Sequence, residues 1–83
     1  PSAQRRKQLS TQVKKLAEDT KVSVRNERRE AIKQIDTMAK DKTTSFSEDD
    51  GKIARANIDD LTKKIASQIE TLCVKKAEEV ESL

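Results

Sequence analysis

Histidine, tryptophan and tyrosine are absent from this 83-residue chain, and glycine, proline, cysteine, methionine and phenylalanine occur once each. Each shortage excludes something. A single glycine cannot supply a phosphate-cradling loop or a set of β-turns. One cysteine without histidine builds neither a structural zinc site nor a disulfide framework. Cys73 also lacks the base that activates a catalytic thiol, so it reads as a buried structural residue. Proteins that grip single-stranded nucleic acid stack bases on aromatic rings, and Phe46 alone offers no such platform. No run approaches the roughly 18 apolar residues of a membrane-spanning helix. No apolar signal-type segment stands near the start. No metal, cofactor or enzymatic activity is expected.

What the chain does carry is charge. Lys and Arg number 18 against 15 Asp and Glu, a net +3, and charged residues make up 40% of the whole. A Lys-, Glu-, Ala-, Ile- and Leu-rich composition belongs to long helices and coiled coils. Leu9, Val13, Leu16, Thr20, Val24, Glu27, Ala31, Ile35 and Met38 follow one another in steps of three and four. That spacing is close to the α-helical period of about 3.6. It predicts a helix from about residue 4 to about residue 41, with Ser2 as a possible N-cap. Thr43, Thr44 and Ser45 then favour a turn over helix. Ser47 followed by Glu48, Asp49 and Asp50 reads as a second helix start, because acids suit the positive end of the helix dipole. Phe46 is placed to staple onto that first turn.

The second helix is predicted from about residue 48 to about residue 82, after a loop of about 42–47, with Ile58, Leu61, Ile65, Ile69, Leu72, Lys76, Val80 and Leu83 in steps of three and four and Ala54 on the same face. Gly51 should weaken its first turn by about 1 kcal/mol relative to alanine. Asp59 and Asp60 precede Lys63 and Lys64 at the i,i+4 spacing that favours ion pairs. The expected fold is all-α, an antiparallel two-helix hairpin with a narrow apolar seam on each arm. So small a hairpin buries little, and the chain opens at Pro1 without an initiator methionine. Partner helices are therefore expected, from elsewhere in the protein or by self-association.

The first helix has a second face. At about 100° per residue, Lys14, Lys21, Arg25, Arg28 and Arg29 fall within a band of about 100° beside the apolar stripe. Arg25 neighbours both Arg28 and Arg29 on the helix surface, and like charges so placed repel. An external phosphate relieves that repulsion, and guanidinium groups grip phosphate bidentately. With no stacking platform, any RNA contact would run through phosphates and shape along the helix. The same face also has a purely solvated reading, since Glu18, Glu27, Glu30 and Asp36 are within pairing range.

The run Lys21-Val22-Ser23-Val24-Arg25-Asn26-Glu27-Arg28-Arg29-Glu30-Ala31 resembles the C-terminal part of ribosome recycling factors. So do Arg5-Arg6-Lys7, Lys40-Asp41-Lys42, Ser47-Glu48-Asp49-Asp50 and the Leu61 to Ile65 segment, and the likeness spans essentially the whole chain. The resemblance implies two helices of a three-helix bundle, with the first bundle helix and the hinged β-domain absent from this chain. It implies binding to the post-termination ribosome through large-subunit ribosomal RNA and, with elongation factor G, subunit dissociation for a new round of translation. The implied contacts are Arg25, Asn26, Arg28 and Arg29, with Lys21 and Lys14 from the basic band. Arg28 matches the family's most critical arginine. The compartment implied is bacterial cytoplasm, or a mitochondrial or plastid matrix. The rival reading is a structural coiled-coil or helical-hairpin interaction module with no RNA partner.

Overall fold

A computed structural model covering residues 1–83 contains two helices, α1 (Ala3–Lys40) and α2 (Glu48–Glu81), and no strand. Side-chain caps set their limits. Ser2 Oγ accepts the Arg5 amide at 3.1 Å and closes the first turn of α1. At the other end Asp41 turns extended (φ −78°, ψ 107°) and its Oδ1 accepts the Thr43 amide at 2.9 Å and the Thr43 hydroxyl at 2.6 Å. This Asx-type turn satisfies backbone that the helix has released. α2 begins with a reciprocal capping box. Ser47 Oγ accepts the Asp50 amide at 3.1 Å, and Asp50 Oδ2 accepts the Ser47 amide at 3.0 Å. No helix is long and apolar enough to cross a membrane.

The Thr43 hydroxyl and then its amide, both donating to Asp41, hold that carboxyl below the usual aspartate range. A depressed carboxyl stabilises the folded form above its unfolded pKa and loses that contribution as pH falls through the folded value. The turn is therefore expected to persist into mild acid and to loosen only below the ordinary aspartate range. Thr43 to Phe46 should still exchange amide protons fastest among internal segments, because Phe46 is the one apolar anchor there and Thr43, Thr44 and Ser45 are exposed. Hydrogen exchange read by NMR tests both points. Slower exchange there than in mid-helix would contradict them.

The hairpin is 63 Å long and only 15 × 10 Å in its other dimensions. Only Ser10, Ala17 and Gly51 are buried. Along α1 the best-protected positions run through Ser10, Ala17, Lys21, Val24, Arg28, Ala31 and Ile35. With Leu9 and Val13, which are also half-buried, this line shares Val24, Ala31 and Ile35 with the apolar stripe read in the sequence and departs from it at Leu16, Thr20, Glu27 and Met38. Leu16 (68% exposed), Met38 (47%), Leu61 (51%) and Leu72 (60%) stand beside the contact rather than inside it. Two helices meet along a line, and they meet most closely over small side chains. An apolar stripe of about 100° or wider is thus only half covered by one neighbour.

Gly51 marks the closest approach. A Cβ there would come 3.1 Å from Ala39 Cβ, 3.8 Å from Phe46 Cε1 and 3.9 Å from Ile35 Cγ2. The propensity cost of this glycine is offset by close packing at the loop end. It also corrects the expected staple. The position that would receive Phe46 on the first turn is Gly51 itself, so the half-buried ring covers that glycine beside Ile35 and Ala39 instead. Gly51→Leu is expected to cost about 1–3 kcal/mol through overpacking, read as a lower urea midpoint. Gly51→Ala should return less than the roughly 1 kcal/mol that propensity alone promises. A full gain would show that the two helices separate freely there.

Candidate nucleic-acid interface

Of its cations, helix α1 presents Arg25 and Arg29 on the flank opposite the half-covered leucines, whereas Arg28 lies on the contact line and borders the leucine groove. The structure sorts them by what already holds them. Lys21 is turned toward α2, with Nζ 2.7 Å from Glu70 and 3.3 Å from Glu18. The Glu70 hydrogen bond, then that to Glu18, raises its pKa above the usual lysine value. Arg28 also reaches across, and both Nε and Nη2 lie 2.7 Å from Asp59 Oδ1. Its Nη1 has no partner in the protein, and the side chain stays 40% exposed. Arg29 is exposed and oriented by Asn26, whose Oδ1 accepts its Nη1–H at 2.9 Å. Arg25 is exposed and enters no ion pair. Lys14 lies farther along the helix, over a shallow depression it shares with Glu18, Glu70 and Glu81.

Arg25, Asn26, Arg28 and Arg29 therefore form one group, Lys21 lies next to it as part of the hairpin contact, and Lys14 stands apart among acids. Two acids find partners other than the local spacing implied. Asp59 bridges to Arg28 rather than to Lys63, and Asp36 pairs with Arg55 of α2 at 3.3 Å. Neither cross-hairpin bond is legible in sequence, because it depends on the register of two antiparallel helices. Cys73 is half-buried with a free thiol.

The opposite flank is an apolar groove. Val13, Leu16, Ile69 and Leu72 line one stretch of it beside Lys76, and Val24, Ile58, Leu61 and Ile65 line the next beside Glu27 and Arg28, with Thr20 common to both. A helical hairpin with one flank cationic and the other apolar and uncovered is the architecture of a bundle segment. The model of the ribosome recycling factor family matches residues 1–80, and the chain belongs to that family. It is 46% identical over 77 residues to the ribosome-recycling factor of Caldicellulosiruptor saccharolyticus, covering 93% of this chain and 41% of that protein. It is 39% identical over 80 residues to that of a Synechococcus species, covering 96% and 43%. The Ralstonia pickettii factor is 40% identical over 77 residues, covering 93% and 40%. The chain thus spans about two fifths of the length of these relatives. No solved structure gives a significant match.

Proposed function

We propose that this chain is the helical segment through which a ribosome recycling factor docks on ribosomal RNA of the post-termination ribosome. With elongation factor G, that docking promotes separation of the subunits in the translation compartment. The segment itself performs no chemistry. A stiff 63 Å hairpin holds cations in fixed spacing, and force applied elsewhere on the particle is transmitted through that contact. The observation that carries the reading is the cluster of Arg25, Arg28 and Arg29, which runs from the hairpin contact line round to the exposed flank of α1. Its arginines retain donors that no acid of the hairpin occupies. Lys21 and Lys14 would add electrostatic attraction at the margin of that cluster.

The test compares Arg28→Ala with Lys63→Ala in binding to ribosomes and to large-subunit ribosomal RNA. Arg28→Ala is expected to weaken binding roughly tenfold, about 1.4 kcal/mol, while Lys63→Ala changes it little. Arg28 also ties the two helices through Asp59, so helicity and thermal melting must be measured alongside. Equal binding by the two variants would remove the assignment. The alternative, an interaction module without RNA, draws on the open apolar groove. Salt separates the two readings, because each neutralised phosphate contributes a log–log slope of about 0.7–0.9 and an apolar helix partner contributes none.

A further inference from the structure

Lys33 looks unremarkable in the sequence. It has Glu30 three residues before it and Asp36 three residues after it, both at pairing distance on a helix. The structure removes those partners. Asp36 is engaged by Arg55 of α2, Glu30 makes no ion pair with Lys33, and the lysine is exposed. The pattern continues toward the N-terminus. Glu18 is taken by Lys21, and Asp19 by Lys15 at 2.9 Å. Between Thr20 and Ile35 the only acids are Glu27 and Glu30. At about 100° per residue Glu27 lies on the groove rim and Glu30 about 100° round the helix from Arg29, while Glu30 stays beside Lys33 at i−3 without pairing with it. The flank of α1 therefore carries a row of cations that enter no ion pair, Arg25, Arg29 and Lys33 at i, i+4 and i+8. Each step advances about 6 Å along the axis and winds about 40° around it. The three unpaired cations form a gently spiralling row about 12 Å long.

We propose that Lys33 is a further contact of this surface, extending the row of Arg25 and Arg29 along an RNA phosphate backbone toward the loop end of the hairpin. The inference rests on the RNA-binding reading above. It adds a residue outside the basic band that periodicity marked, and it ranks the unpaired cations above Lys14, which faces acids. A surface of this kind fits a polyanion with regularly spaced charges better than a single anion. No built pocket encloses any one of the three, and their spacing is set by a rigid helix.

Binding of the 83-residue chain to 70S ribosomes and to protein-free large-subunit ribosomal RNA, each over a salt series, tests this with Lys33→Gln, Lys33→Arg, Arg29→Gln and Lys63→Gln. Lys33→Gln is expected to weaken RNA binding several-fold and to lower the log–log salt slope by about 0.7–0.9, with Lys33→Arg retaining both. If Arg29→Gln weakens binding while Lys33→Gln behaves like Lys63→Gln, the Lys33 contact is overturned and the RNA reading stands. If neither variant matters, the RNA reading fails and the proposal falls with it. Loss confined to intact ribosomes, with protein-free RNA unaffected, would assign Lys33 to an acidic ribosomal protein and overturn the phosphate contact. Unchanged circular dichroism is expected throughout, since Lys33 holds no side-chain bond within the hairpin.

Discussion

Reversing both unpaired arginines, Arg25→Glu with Arg29→Glu, is expected to reduce ribosome and ribosomal RNA binding about 100-fold at low salt. Each site loses a cation and gains an anion facing phosphate. The salt dependence should fall by about two phosphate equivalents, a log–log slope change of about 1.4–1.8. The double variant is also informative because it leaves the hairpin alone. Arg25 makes no ion pair, and Arg29 bonds only to Asn26 on its own helix. The reversed pair is still like-charged, but each new carboxylate gains opposite charges three or four residues away, Lys21 and Arg28 around position 25 and Lys33 after position 29. Helicity should therefore hold or rise while binding collapses. The contrast is Lys21 or Arg28, each of which takes a cross-hairpin bond with it when removed. Filter binding or fluorescence anisotropy over a salt series, with melting curves in parallel, reads the result. Retained affinity with an unchanged slope would place the RNA contact elsewhere.

The isolated chain is expected to associate at tens of micromolar through its apolar groove. Leu16, Leu61 and Leu72 are each more than half exposed, and fully covering such a side chain is worth about 1.5–3 kcal/mol. Two grooves laid face to face, α1 of one copy over α2 of the other, give a four-helix bundle in which neighbouring helices run antiparallel. Thr20 and Lys76 interrupt the groove, so the dimer should be specific but modest. Sedimentation should give a species of about twice 9.4 kDa. Leu72→Glu should shift it to monomer with a large loss of melting temperature, because the groove then has nothing to cover it. A cooperatively melting monomer of the unmodified chain would show that two helices alone bury enough, and would sink the account. A further helix of a longer polypeptide, such as the relatives have room for, would compete for the same groove.

Helix identity, the interruption at Asp41 to Ser47 and the capping role of Ser47 were all legible in the one-dimensional pattern. They depend on local rules: spacing of three and four, breakers such as Thr43 and Thr44, and a hydroxyl three residues before an acid. The arginine cluster was legible for the same reason, since residues four apart on a helix are neighbours whatever the tertiary context. The state of each cation was not legible. Lys21 and Arg28 look like Arg25 and Arg29 in the sequence. They differ because Glu70 and Asp59 lie opposite them on α2, and that opposition is fixed by the register of two antiparallel helices across long sequence separations. Lys33 lies about 40° beyond Arg29 and so outside the basic band, and the hold of Arg55 on Asp36 depends on the same helix register. The apolar stripe was read correctly as a face and only in part as a contact. Periodicity reports which side of a helix avoids water, but the line of contact is chosen where Ser10, Ala17, Ala39 and Gly51 let two backbones approach. The larger side chains beside that line are left for a partner.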